Sequence, residues 1–187
     1  MKPSSMISIT LFSLLLLTLP LHLAGALVSV RETCKAAKKI VSDIDYKFCV
    51  STISENSTLV FVVANDTRAF ANISATAAAT HAHNVITSIQ DLLRTSPDPV
   101  TKSVLIHCKG SYNSVASSWD KAVVAINEKN DDVAKISLRE GMNSVISCET
   151  QFGIAGKLSP LIKMNIVSVE LVTLTYAILE VAEKNKY

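Results

Sequence analysis

The chain has 187 residues, 49% of them apolar, 18% charged and 5% aromatic, with four cysteines and a formal net charge of +2. This is one domain's worth of chain, long enough to bury a sizeable core. The charge is small and dispersed apart from Lys35, Lys38 and Lys39, which excludes the basic footprint of a nucleic-acid binder. That lysine trio reads as a solvated helix face, with an acidic polymer or partner as the alternative.

Lys2 precedes an apolar run over 11–19, and Ala24-Gly25-Ala26 follows as an A-x-A cleavage pattern, so residues 1–26 read as a secretory signal peptide. A membrane anchor is the weaker reading: Pro20 and His22 interrupt the run well short of the ~20 apolar residues that a span needs. No later run is expected to span a bilayer. The domain is then 27–187, secreted to the extracellular space, and all four cysteines fall in this disulfide-permissive part.

Residues 31–43 and 46–54 form a short helical hairpin that needs the main body to pack on. The midpoint of Cys34 and Cys49 falls beside the polar 42–45 turn, so hairpin geometry pairs the two. No glycine occurs between Gly25 and Gly110 and no proline between Pro20 and Pro97, so a long helix is expected over 58–93, capped by Ser57 or Thr58 and roughly 50 Å long. A strand over 59–63 is set aside for want of a partner strand, and the alanines of 64–82 favour helix.

The next helix, 97–130, carries Leu105, Cys108, Tyr112, Val115, Trp119, Ala122 and Ile126 at alternating steps of three and four. After the polar turn 127–132 the rhythm returns in Ala134, Leu138, Gly141, Val145, Cys148 and Phe152. Residue 128 is equidistant from Cys108 and Cys148, so an antiparallel hairpin brings these two together. In the loop-entropy picture a bridge closing about 16 residues contributes ~3 kcal/mol and one closing about 41 contributes ~4. The last helix is expected from Pro160, capped by Ser159, with Met164, Val167, Leu171, Leu174, Ile178 and Val181 inward. The fold class is all-α: an up-down four-helix bundle with an N-terminal helical hairpin and two disulfides.

Three acceptor sequons make Asn56, Asn65 and Asn72 candidate glycosylation sites, and Asn65 and Asn72 would share one solvent face of a helix. His81 and His83, two apart, diverge and cannot chelate one metal; no metal or cofactor is expected. His107 beside Cys108 offers no nucleophile if that cysteine is bridged, and no catalytic motif occurs elsewhere, so the chain is not an enzyme. Trp119 and Tyr112 read as core.

Thr33-Cys34, Tyr46-Lys47-Phe48-Cys49, Cys108 with Tyr112, Cys148 with Phe152, Ser159-Pro160-Leu161 and Asn165 together resemble the plant invertase and pectin methylesterase inhibitor family, over essentially the whole of 27–187. The resemblance implies a secreted apoplastic or cell-wall inhibitor without catalysis, bound to pectin methylesterase or acid invertase, and a monomer when free. Invertase inhibitors of the family present Pro-Lys-Phe from the turn between the second and third bundle helices, where this chain has Asp131-Asp132-Val133. Residues 137–142 also depart from the family's Trp-x-Ser-Ala-Ala-Leu, with Gly141 at a core alanine position. Pectin methylesterase is therefore slightly ahead as target, with a non-inhibitory binding or storage bundle as the alternative from another class. The expected contact surface joins the 97–130 helix to the C-terminal half of its predecessor, with Asp91, Asp120, Lys121 and Glu128, and Asp131 and Asp132 at the turn.

Overall fold

The computed structural model describes residues 28–56, 63–64, 66–95 and 97–185; the signal peptide and Asn65 lie outside them. Among the described residues are six helices, α1 (Val30–Ile40), α2 (Tyr46–Glu55), α3 (Thr67–Arg94), α4 (Pro99–Asn127), α5 (Asp131–Ile154) and α6 (Ile162–Lys184). Two short strands, β1 (Val28–Ser29) and β2 (Val63–Ala64), complete the described elements. Helices α3 to α6 form the ring of the bundle, each packing on the next and α6 returning to α3, while the α1–α2 hairpin lies against α6 and α3.

Both bridges join as the turn midpoints require. Cys34 and Cys49 pin α1 to α2 with Cα atoms 5.8 Å apart, and Cys108 and Cys148 pin α4 to α5 at 4.7 Å. The seven stripe residues of α4 are all buried, as are the six of α5. Phe70, Trp119, Tyr112 and Phe152 are the largest fully buried side chains, each removing a large apolar area from water at roughly 25 cal/mol per Å².

Helix α3 starts later than the composition suggests. Asp66 caps it by accepting from the Arg68 amide at 2.9 Å, and the preceding Val63–Ala64 pairs antiparallel with Val28–Ser29. The partner strand that seemed missing is the first described segment of the domain, and its Ser29 also caps α1. The ladder is only two residues long, too short for a period-two pattern to register.

The ends of α4 and α5 use the same device. Asn130 N–H donates to the Ala125 carbonyl at 2.8 Å with Lys129 at φ 59°, and Lys157 N–H donates to the Phe152 carbonyl at 3.0 Å with Gly156 at φ 63°. Both close the helix through one left-handed residue. Asp98 caps α4, bonding the Val100 and Thr101 amides and the Thr101 hydroxyl.

Helix α6 begins two residues after Pro160. Ser159 accepts from the Leu161 amide in the preceding turn and does not cap the helix itself. By length and hydropathy α6 could cross a membrane, contrary to the expectation that no later run could. Here it is a core helix, burying Leu171, Leu174, Ala177, Ile178 and Leu179 within the bundle. In its first two turns the inward residues are the polar Asn165 and Ser168, while Met164 and Val167 are half-buried.

Candidate partner-binding surface

The sequence-chosen polar residues do not form one cluster. Asp120 is exposed on α4 and faces His83 of α3 at 3.1 Å, and Lys121 is exposed beside it. Asp91 is exposed near the end of α3, engaged by Arg94 at 2.6 Å. It lies eight residues beyond His83, about 12 Å along the helix at ~1.5 Å per residue. Glu128 is exposed at the opposite end of the bundle, as the C-cap of α4.

Asp131 is a correction. It is buried, and its two oxygens accept from Arg68 Nε at 2.9 Å and Arg68 Nη2 at 2.6 Å, so it joins the start of α5 to the start of α3 and is withheld from any partner. The bond to Asp131 raises the Arg68 pKa above its ordinary value, against the effect of burial. Asp132 is exposed but faces elsewhere, towards α6 with Ile136 and Tyr176. The histidines diverge as their spacing requires: His81 meets the Met164 carbonyl of α6 at 3.0 Å, and His83 meets α4.

What sequence reading missed is the seam between α5 and α6. Concavities open there between the two helices. One concavity of 430 Å³ is lined by Val145, Ile146, Glu149, Ile162, Ile166 and Val169. A second of 580 Å³ lies further along the same two helices, lined by Ile136, Leu138, Met142, Val172 and Tyr176 and bordered by Val41 of the α1–α2 turn. Eight of the eleven large apolar residues exposed in the described structure belong to this side of the molecule or its connecting loop: Ile136, Ile146, Ile154, Leu158, Ile162, Ile166, Val169 and Tyr176. Ile146 and Ile166, from facing helices, are 53% and 51% exposed. A concentration of exposed apolar residues on one side of the molecule is the mark of an interaction surface.

A polar chain leads from this groove into the core. Tyr112 O–H donates to Asn165 Oδ1 at 2.6 Å and lies 3.1 Å from the Ser168 hydroxyl. Asn165 Nδ2 donates to Glu149 Oε2 at 2.5 Å, which sets that carboxylate at the groove wall. Burial pushes the Tyr112 pKa up to about 12, against the Ser168 bond and with help from the Glu149 charge. At the other end, Lys135 of α5 bonds Glu180 and Glu183 of α6 and stands over the Tyr176 ring, 5.4 Å from its centre. Burial acts against its charge, and the two glutamates outweigh this and raise its pKa.

Gly141, which departs from alanine in the motif noted above, has a local reason. A β-carbon there would overlap the Trp119 indole, whose Nε1–H donates to the Leu138 carbonyl at 3.3 Å. The missing methyl makes room for the one tryptophan of the chain. All four cysteines are bridged, so His107 has no thiolate to activate; it lies 3.2 Å from the Ser147 hydroxyl. The arrangement offers a surface for binding and no nucleophile from cysteine.

Comparison with known proteins agrees with this geometry. Two plane-tree proteins carry the name "Putative invertase inhibitor". That from Platanus acerifolia is 28% identical over 179 residues, covering 95% of this chain and 97% of the relative. That from Platanus orientalis is 28% identical over 153 residues, covering 80% and 86%. Among solved structures, a mutant form of a pectin methylesterase inhibitor from Arabidopsis superposes with a TM-score of 0.66 at 12% identity, over 83% of this chain and 98% of that one. An Arabidopsis thaliana pectin methylesterase inhibitor gives 0.59, also at 12% identity. These two likenesses show the shared helical fold. Residues 28–178 match the plant invertase/pectin methylesterase inhibitor family, whose members are inhibitors and not enzymes, and the chain belongs to that family.

Proposed function

We propose that this chain is a secreted inhibitor that covers the substrate groove of pectin methylesterase, using the α5–α6 side of its bundle. The observation that carries the reading is the uncovered apolar groove, flanked by Glu149 and Asp132, on a bundle of this inhibitor family. A specific interface buries ~800 Å² per partner around an apolar centre, and rigid helices lose little entropy on docking. The turn before α5 supports this target. It is three residues long, lacks Pro-Lys-Phe, and is anchored by the buried Arg68–Asp131 pair.

In this reading residues 1–26 are removed on secretion, and the domain 27–187 acts as a monomer in the apoplast. Asn56, exposed at the end of α2 with its amide donating to the Thr52 carbonyl at 2.8 Å, is the more accessible of the two described glycan acceptors. Asn72 is half-buried, and its amide donates to Asn127 Oδ1 at 2.7 Å across the α3–α4 seam.

Acid invertase is the second reading, favoured by the names of the two Platanus relatives. Adding the oxidised, secreted protein to each enzyme separates the two. Stoichiometric loss of pectin methylesterase activity with invertase untouched is expected; the reverse moves the target. No effect on either at micromolar excess leaves the non-inhibitory bundle.

A further inference from the structure

The α1–α2 hairpin carries a second surface of different chemistry. Arg31, Lys35 and Lys39 recur every fourth residue, so they stack along one face of α1, and all three are exposed. Across a concavity of 550 Å³, α2 contributes Lys47 and the half-buried ring of Tyr46. Among the described residues none of these four cations is in an ion pair, whereas Lys38 on the neighbouring face is engaged by the Ser42 and Ile44 carbonyls.

The helix dipole favours Lys39, in the last turn of α1, but not the rest of the stripe. Like charges four apart on a helix repel, and Arg31 lies in the first turn of α1, where the helix dipole disfavours a cation. Glu55 lies on the rim of the concavity and Glu32 on α1 beside Arg31. Asp45, at the loop end of the hairpin, caps α2 and also feels the charges of Lys38 and Lys47. The Cys34–Cys49 bridge is adjacent to Lys35 and two residues from Lys47, so it holds the two rows of charge at a fixed separation.

We infer that this groove is a binding site for a carboxylate-bearing polysaccharide, a linear polyuronate. Arg31, Lys35 and Lys47 meet its carboxylates, and Tyr46 packs on the C–H face of a sugar ring. A concavity with spaced cations and one ring suits a repeating anionic sugar chain better than the flat acidic patch of a protein. Removal of methyl esters from pectin, the reaction named in this family's description, is a reaction class that generates such carboxylates. The site lies on the hairpin, apart from the α5–α6 groove, so the inference stands or falls independently of enzyme inhibition.

The test is binding of the secreted, disulfide-bonded protein to polygalacturonate, with fully methyl-esterified pectin and poly-glutamate as comparison polymers, at low and high salt. Polygalacturonate is expected to bind about tenfold more tightly than the esterified polymer, with affinity falling as salt rises. The triple variant Arg31→Gln, Lys35→Gln, Lys47→Gln should abolish binding, and Lys35→Gln and Lys47→Gln alone should each weaken it. Tyr46→Ala should weaken binding to polygalacturonate and leave poly-glutamate unaffected. A control triple at the exposed Lys102, Lys163 and Lys184 should leave binding unchanged. Failure to bind polygalacturonate at low salt, or equal loss in the control triple, overturns the inference. Poly-glutamate binding that matches polygalacturonate and ignores Tyr46→Ala overturns the polysaccharide assignment in favour of an acidic protein.

Discussion

Helix α5 has two neighbours in the bundle ring and treats them differently. Towards α4 it closes: the Cys108–Cys148 bridge draws the backbones together, Gly141 admits the Trp119 indole, and the stripes of both helices are buried. Towards α6 it stays open, linked at intervals by Glu149–Asn165 and by Lys135 with Glu180 and Glu183, with isoleucines from both helices left in water between the links. The difference separates two tasks that one helix performs. The α4 side supplies rigidity, and the α6 side can offer apolar surface because rigidity is secured elsewhere.

That division fails if substitutions on the two sides have similar effects on stability. The largest expected loss comes from the closed side. Replacing Cys108 and Cys148 by serine should lower unfolding free energy by about 4 kcal/mol in denaturant titration. Gly141→Ala comes next, at about 3 kcal/mol, because the added methyl overlaps a fully buried ring and neither helix can retreat past the bridge. Trp119→Leu in that background should recover part of the loss, so a double-mutant cycle should show coupling above about 1 kcal/mol.

On the open side, Tyr112→Phe removes a buried hydroxyl from the Asn165–Ser168 chain and should cost about 1 kcal/mol. Ultraviolet titration should show this phenol ionising near pH 12. Because its folded pKa lies above the unfolded value of about 10, its contribution is constant below pH 10 and is lost as pH rises through 12. The smallest effect is at the turn into α4. The Thr101 hydroxyl and amide, with the Lys157 ammonium, hold the Asp98 pKa down to about 2, so its contribution is present above about pH 4 and lost as pH falls towards 2. Asp98→Asn should flatten that acid limb of the unfolding profile.

The closed side was legible in the sequence because the inward stripes of α4 and α5 are apolar or cysteine at every position apart from Gly141, and the turn midpoint of 128 fixes the pairing; the buried Asp131 and Ser137 of α5 fall off that stripe. The open side was not. At the start of α6 the inward positions are Asn165 and Ser168, so a rule that seeks apolar residues selects Met164 and Val167 instead. Ile146 and Ile166 each look like an isolated exposed residue in the sequence, and only the closed ring of helices brings them to one groove. Asp131 reads as a surface charge at a helix start because its partner, Arg68, is 63 residues away. The β1–β2 ladder was hidden by its length, since two residues carry no alternation.

If the open α5–α6 groove, as proposed, and not the polar α3–α4 face meets the enzyme, substitutions on the two faces will separate in inhibition. Titrating pectin methylesterase with the wild type, with Ile146→Asp plus Ile166→Asp, and with Asp120→Asn plus Lys121→Gln tests it most directly, with unfolding curves alongside. Both pairs lie at exposed positions, so stability should change by no more than about 0.5 kcal/mol per site. The isoleucine pair should lose inhibition while the Asp120 and Lys121 pair inhibits like the wild type. Full inhibition by the isoleucine pair, with loss in the Asp120 and Lys121 pair, would contradict it.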